Sequence, residues 1–140
     1  MRTFSIAIDI AAPPGRVWQV MSDVERWHEW TASITSVKLL GTGPFAVGKK
    51  ALVRQPKLPP AIWKVTELVP GGKFAWVSSG PGLRVTGHHE VEATAGGTRA
   101  KLWLEYEGVL GALLAGLTRS LTERYLSLEA NGLKARSEST

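Results

Sequence analysis

The chain has 140 residues, no cysteine, and a net charge of +5 from 17 basic and 12 acidic side chains. This length is typical of one domain, so we expect residues 1–140 to form a single domain with its own core. The lack of cysteine excludes disulfide scaffolds, thiolate metal sites and cysteine nucleophiles. No apolar stretch approaches the roughly 20 residues of a membrane span, and the first residues do not resemble a signal peptide. We therefore expect a cytoplasmic protein.

The basic charge is spread along the chain rather than concentrated. Basic residues occur from Arg2 to Arg136 and are not interleaved with aromatic ones. Nucleic-acid binders usually combine both in one patch, so we expect no nucleic-acid partner. Six tryptophans stand against two tyrosines and three phenylalanines. Large rigid aromatic side chains fill a core or line a pocket for an apolar ligand, and the high count directs attention to a pocket.

The first thirty residues predict one strand followed by two short helices. From Thr3 to Ile10 polar or small residues alternate with large apolar ones, which is the period of a half-buried strand. Pro13 and Pro14 can begin a helix, because the first-turn amides have no partner there anyway. Asp23 can cap a second short helix, in which Trp27 and Trp30 lie three residues apart.

Six further strands are predicted in the middle of the chain. Apolar-rich runs lie near residues 34–40, 48–55, 61–69, 73–79, 82–94 and 97–109, and glycine and proline turns separate them. Connections this short join antiparallel neighbours, because a parallel pair needs a crossover of roughly a dozen residues or more. We therefore predict an antiparallel sheet of about seven strands.

A long amphipathic helix is predicted from about Gly111 to Lys134. Its apolar stripe, spaced by three and four, consists of Leu114, Leu117, Leu121, Tyr125 and Leu128. Glycines at 111 and 116 weaken its first turns. This helix alone is long enough to cover the apolar face of the sheet, and one helix over a wide curved sheet leaves a gap. The order strand, two helices, six strands, helix thus predicts an α+β fold whose gap is either filled or kept as a cavity.

Motifs along nearly the whole chain carry a family resemblance. They are Ile10-Ala11-Ala12-Pro13-Pro14 with Val17-Trp18, the segment from Asp23 to Trp30, Arg54-Gln55-Pro56, Trp63-Lys64-Val65-Thr66-Glu67, Phe74-Ala75-Trp76, Gly87-His88-His89-Glu90-Val91, Gly97-Thr98-Arg99 and the segment from Leu128 to Lys134. In this order they resemble the START-like, helix-grip superfamily (SRPBCC), which includes the major birch pollen allergen. Within it they resemble the bacterial polyketide cyclase/dehydrase and lipid-transport branch.

The resemblance implies a fold and a kind of site. The fold is a curved antiparallel sheet wrapped around a long C-terminal helix, and the site is a cavity between them that takes a small hydrophobic, lipid- or polyketide-like molecule. The resemblance does not specify chemistry, because members bind lipids, hormones and polyketides and only some of them catalyse a reaction.

Strand parity assigns side chains to the inside of the sheet. Charged residues must face water, which turns His89 inward and His88 outward in the run 82–94. The same argument leaves Trp103 on the outer face with no evident partner, and for Arg54 parity does not decide. The ligand-binding residues that we predict are Trp63, Phe74, Trp76, His89, Leu104, Tyr106, Leu117 and Leu121. The alternative is that these side chains simply fill the core under the helix.

Catalysis is left open by the sequence. It contains no glycine-rich phosphate loop, nucleophile elbow or HExxH motif, so we expect no metal, nucleotide or other cofactor. His88 and His89 cannot chelate one metal from a strand, because neighbouring side chains point to opposite faces. For the cyclase or dehydratase activity that the resemblance implies for some members, Arg54 would stabilise an enolate oxygen, and His89 or Tyr106 would move the proton.

Three functions remain as hypotheses. The protein carries or senses a small hydrophobic molecule, or it is a cyclase or dehydratase that uses the same cavity, or it is an interaction protein with a packed core. In the third case the partner surface would surround Trp103 or the short helix with Trp27 and Trp30. Saturable binding without turnover would indicate the carrier or sensor, and product formation would indicate the enzyme. A filled interior would indicate the interaction protein. The chain is expected to be a monomer or a homodimer.

Overall fold

The structure is a computed structural model that describes residues 2–139. Its elements in chain order are β1 (Arg2–Ile10), α1 (Pro14–Ser22), a 3₁₀ helix (Val24–Glu29), β2 (Ser36–Leu39), β3 (Lys50–Arg54), β4 (Ala61–Val69), β5 (Lys73–Gly80), β6 (Leu83–Thr94), β7 (Gly97–Glu107), α2 (Val109–Leu117) and α3 (Arg119–Glu138). The predicted α+β architecture with a seven-stranded sheet is confirmed. Within residues 2–139 no helix is both long and apolar enough to cross a membrane.

The seven strands form one antiparallel sheet in the order β1-β7-β6-β5-β4-β3-β2. From β2 to β7 each strand pairs with the next one along the chain, while β1 lies against the last strand. The register shifts between Val65 and Glu67 of β4, and a bulge of this kind bends a sheet. One face of the curved sheet is covered by the helices, and the core lies between them.

The second predicted helix is a 3₁₀ helix, and it belongs to the core. Tryptophans three residues apart share a face when a helix has three residues per turn. Trp27 is only 2% exposed, and its Nε1 donates a hydrogen bond to the carbonyl oxygen of Met21 at 3.0 Å. The hypothesis that this helix presents Trp27 to a partner protein is therefore wrong, because the indole is already buried.

The predicted single C-terminal helix is divided in two at Thr118. This residue leaves helical geometry with φ −107° and ψ 14°, and its hydroxyl donates to the Leu114 carbonyl at 2.8 Å. Gly116 precedes the break, in the part of the sequence where weak helix propensity is expected. Leu114 before the break and Leu121 after it nevertheless face the same side, towards the sheet.

The C-terminal half of α3 is fixed to the rest of the domain. Its apolar side chains at positions 130 and 133 are buried in the main hydrophobic cluster. Arg136 Nη2 lies 2.6 Å from Glu29 Oε1, and the backbone N–H of Ala11 donates to Glu138 Oε2 at 2.7 Å. A Cβ on Gly132 would lie 2.0 Å from the carbonyl oxygen of Trp30, so glycine allows the close approach of α3 to the end of the 3₁₀ helix. The N-terminal half of α3 is left to extend over the sheet.

Candidate ligand-binding cavity

A cavity of about 290 Å³ lies between the inner face of the sheet and the N-terminal half of α3, and it is partly open to solvent. Small-molecule sites have roughly 300–1,000 Å³, so this cavity is at the lower end of that range. Its lining is mainly apolar, and the aromatic residues of the wall include Trp27, Trp63, Trp76, Tyr106 and Tyr125. The gap under the helix is therefore a cavity rather than a completely filled core.

The aromatic wall is a set of rings in contact. The ring centroid of Trp76 lies 5.4 Å from that of Trp27 and 5.9 Å from that of Trp63. Phe74 lies behind this layer, where its ring stacks on His89 with centroids 4.2 Å apart and planes 8° apart. Gly87 gives Trp76 its room, because a Cβ there would lie 3.1 Å from the indole nitrogen. Rings held against one another in this way form a rigid wall.

Six of the eight predicted ligand-binding residues lie on the cavity wall: Trp63, Trp76, His89, Leu104, Tyr106 and Leu121. The other two do not. Phe74 is almost completely buried and supports His89 from behind, so its ring is separated from the cavity. Leu117 is 76% exposed on α2. Leu114, Thr118 and Leu121 form the wall here, and Leu117 lies at the edge of that face of the helix.

Arg54, one of the three predicted catalytic candidates, points away from the cavity. Sequence parity could not assign it, and the structure places Val53 and Gln55 on the cavity wall. Arg54 is exposed on the opposite face of β3. An arginine in that position cannot stabilise an enolate inside the cavity, so its predicted role is not supported by its location.

His89 reaches the cavity as a neutral imidazole. It is only 7% exposed, and burial lowers its pKa from 6.5 to about 3. A backbone group of Phe74 acts in the opposite direction, and the neighbouring His88 adds a smaller lowering. Within the described part of the chain, Nδ1 has no hydrogen-bond partner. A neutral histidine with an unpaired ring nitrogen is a weak base at neutral pH, yet it is well suited to a hydrogen bond with a ligand.

Two hydroxyl groups of the wall are tied to their surroundings. Tyr106 Oη lies 3.3 Å from Thr122 Oγ1, which connects β7 to α3 at the cavity. Tyr125 donates its hydroxyl hydrogen to the carbonyl oxygen of Pro56, in the loop between β3 and β4. These contacts hold the N-terminal half of α3 over the sheet even though apolar packing is incomplete there.

Glu129 is a cavity residue that the sequence prediction missed. It lies on the wall, on α3, and burial raises its pKa from 4.5 to about 7, with no hydrogen bond or opposite charge that offsets the burial. A signal was present, because Glu129 follows Tyr125 by four positions and Leu121 by eight. This spacing places all three on one side of a helix. A carboxyl group that faces an apolar cavity, and whose pKa is shifted by burial alone, is available to a ligand.

On the outer face of the sheet, Trp103 has the partner that the sequence did not reveal. Its ring stacks on His88 of β6 with centroids 4.4 Å apart, and Lys101 Nζ lies 5.4 Å from its centroid. His88 Nε2 also contacts Glu105 Oε1. Trp103 is half-buried by these neighbours, so a protein partner is not needed to explain it.

Among residues 2–139, no group of three or more histidine or acidic side chains could hold a metal ion. The polar groups of the wall are of four different chemical types. They are the neutral imidazole of His89, the phenol of Tyr106 paired with Thr122, the amide of Gln55 and the carboxyl of Glu129. Such an arrangement can orient a molecule whose body is apolar, and Glu129 can exchange a proton with it near neutral pH.

A curved antiparallel sheet gripping a C-terminal helix over a cavity of ligand size defines the helix-grip class of proteins. The sequence profile of the family described as polyketide cyclase/dehydrase and lipid transport matches residues 1–138. The chain belongs to this family, as its motifs predicted. No curated protein sequence matches the chain.

Several solved structures share the fold at low sequence identity. An aromatase/cyclase named Zhui, from a Streptomyces strain, has a TM-score of 0.79 and 16% identity over 98% of this chain and 93% of its own. The protein TTHA0849 of Thermus thermophilus has a TM-score of 0.76 and 20% identity over 97% of both chains. Ara h 8.0201 has a TM-score of 0.75 and 16% identity over 99% of both chains. At these identities the likeness establishes the shared fold alone.

Proposed function

We propose that the protein binds a small hydrophobic molecule in the cavity between the sheet and α3. The observation that carries this proposal is the aromatic-lined space of about 290 Å³. Apolar surface that is moved from water into such a space contributes about 25 cal/mol per Å². Family membership supports the same conclusion, since the family description includes both polyketide chemistry and lipid transport.

The ligand in this proposal carries at least one polar group. Among residues 2–139, His89 Nδ1 has no hydrogen-bond partner and burial alone shifts the pKa of Glu129, and burying such groups against a purely apolar ligand would be unfavourable. A hydroxyl, carbonyl or amine on the ligand would satisfy them. An apolar body with one polar end is therefore favoured over a pure hydrocarbon.

A titration monitored by tryptophan fluorescence tests this function, because Trp27, Trp63 and Trp76 are among the residues that line the cavity. The panel contains fatty acids, sterols, flavonoids and aromatic polyketides. We expect saturable one-to-one binding with at least one class, and weaker binding in Trp76→Phe and His89→Ala. If no class gives a saturable response, the protein does not use this cavity for a ligand of this kind.

A polyketide cyclase or dehydratase activity in the same cavity is the second candidate, and Glu129 favours it. A general base is most effective when its pKa is near the working pH, and burial brings the pKa of Glu129 to about 7. His89, with a pKa of about 3, is a poorer base and is better suited to orienting the substrate. The Zhui aromatase/cyclase supports this candidate as a relative in fold. Product formation from a poly-β-ketone substrate, lost in Glu129→Gln, would distinguish the enzyme from a carrier.

The remaining parts of the proposal concern the setting of the protein. We place it in the cytoplasm, as a monomer or homodimer without a nucleic-acid partner. The even spread of basic residues supports the last point. Size-exclusion chromatography with light scattering would measure the oligomeric state directly.

A further inference from the structure

The helix α2 is apolar on every side, yet most of it faces solvent. Its sequence VLGALLAGL contains no charged, polar or aromatic residue. Four of its side chains are strongly exposed: Val109 by 85%, Leu110 by 49%, Leu113 by 59% and Leu117 by 76%. We call these four side chains the α2 ridge. Helices that are apolar all round are usually buried or in contact with lipid, and a contiguous apolar patch usually marks an interaction site.

The α2 ridge is next to the cavity. Leu114, in the same helix, lies on the cavity wall together with Thr118 at the end of α2. Leu110 packs over Gly82 in the turn between β5 and β6, where it lies 3.3 Å from the position of an added Cβ. The helix thus separates the cavity from solvent, with one side on the cavity and the ridge facing outward.

Basic residues border the α2 ridge. Arg119 lies two positions after the end of α2, and Arg2 lines the same open polar groove as Arg119. Arg84 follows Leu83, whose side chain lies 3.5 Å from the position of an added Cβ on Gly111 of α2. Two acidic residues, Glu107 and Glu123, pair with Arg84 and Arg119. The border therefore has three basic and two acidic side chains, a net charge of +1, on a chain whose total is +5.

We propose that the α2 ridge docks on an anionic lipid bilayer, with its apolar side chains among the upper acyl chains and the bordering arginines at the headgroups. With nine residues and a rise of about 1.5 Å each, α2 lies on a bilayer rather than across it. Protein interfaces rely on aromatic anchors and hydrogen bonds, and α2 has no side chain that supplies either. The positive charge of the border attracts anionic headgroups, and it repels a second copy of the chain with the same positive border. This inference does not rest on the proposed ligand.

Co-sedimentation with vesicles tests the docking surface. The vesicles contain phosphatidylglycerol and phosphatidylcholine in equal parts, or phosphatidylcholine alone. We compare the unaltered protein with the double variant Leu113→Asp/Leu117→Asp, whose two positions are outside the cavity wall. The matched control is Val47→Asp, because Val47 is an apolar residue that is 63% exposed between β2 and β3, outside α2. Thermal unfolding checks that each variant is folded.

We expect the unaltered protein to bind the anionic vesicles more strongly than the neutral ones, and added salt to weaken binding. The double variant should lose at least about tenfold in partition coefficient, while Val47→Asp should bind as the unaltered protein does. The proposal is overturned if the unaltered protein does not bind anionic vesicles at low salt, or if Val47→Asp loses as much as the double variant. It is also overturned if the unaltered protein is a dimer that the double variant converts to monomers, because the ridge would then be an interface between copies.

Discussion

Tyr106 and Thr122 connect the sheet to α3 inside the cavity, through a contact of 3.3 Å between their hydroxyl oxygens. Both side chains are buried. We expect Tyr106→Phe to lower the free energy of unfolding by about 1 kcal/mol, because a buried hydrogen bond contributes about that much. Urea denaturation of Tyr106→Phe, Thr122→Val and the double variant measures the coupling between the two groups. Strictly additive effects would contradict a direct hydrogen bond between them.

The close approach of α3 to the 3₁₀ helix makes Gly132 sensitive to substitution. In Gly132→Ala the new Cβ would meet the carbonyl oxygen of Trp30, so the two elements must move apart. We expect a loss of about 1–3 kcal/mol in the free energy of unfolding, which is typical of overpacking. Gly116→Ala is the matched control, since nothing lies within 4 Å of its added Cβ. That change should stabilise α2 by about 0.5–1 kcal/mol, and equal effects at both glycines would contradict the packing described.

Glu129 should make the stability depend on pH in the neutral range. Its pKa is about 7 in the folded protein against an ordinary value of 4.5, so the folded state holds this proton more tightly than the unfolded state. The protonated Glu129 therefore contributes to the free energy of unfolding. This contribution is complete below pH 4.5 and is lost as the pH rises through 7. Glu129→Gln stays neutral, so from pH 4.5 to pH 8 it should gain on the order of 2 kcal/mol relative to the unaltered protein. Urea denaturation across this range gives the difference.

A surface glutamate in the same helix provides the control for that experiment. Glu123 is exposed and paired with Arg119, so Glu123→Gln should show no comparable gain with rising pH. A difference between Glu129→Gln and the unaltered protein that stays constant with pH would contradict the burial of the Glu129 carboxyl.

His89 should make the stability fall as the pH is lowered below 6.5, which is the opposite direction to the effect of Glu129. Its pKa is about 3 in the folded protein and 6.5 ordinarily, so below pH 6.5 protonation favours the unfolded state. Stability is full above pH 6.5 and is lost as the pH falls towards 3, by about 2 kcal/mol between pH 6.5 and 5. The Glu129→Gln background removes the opposing effect, and there His89→Phe should abolish the loss. A loss that persists in the double variant would show that another group causes it.

The period of the strands made most of the fold predictable. The alternation of side chains in β6 predicts that His89 points inward, because its charged neighbours must face water. Glycine and proline turns mark where one strand ends and the next begins. The errors concern the C-terminal helix. The spacing of residues 114–128 does not reveal the break at Thr118. Leu117 lies at the edge of the predicted stripe, and there it is exposed rather than in the cavity.

The charged residues of the site were harder to predict than the aromatic ones. Arg54 was chosen for its chemistry, although the parity of β3 gave it no fixed side. A glutamate on a helix is normally solvated, although the spacing of Glu129 from Tyr125 places it on the side that faces the cavity. Whether such a carboxyl meets water or a cavity depends on the distance between helix and sheet, which the sequence does not encode locally.

The binding of an uncharged fluorescent probe, N-phenyl-1-naphthylamine, tests the central claim most directly. The probe is titrated into the unaltered protein, into Ser78→Leu, which fills part of the cavity, and into Leu113→Asp/Leu117→Asp, which alters only the outer surface. We expect saturable one-to-one binding that is at least about tenfold weaker in Ser78→Leu, because the larger side chain occupies the site, and unchanged in the surface variant. Absence of saturable binding, or binding that is lost in the surface variant and retained in Ser78→Leu, would contradict a ligand site between the sheet and α3.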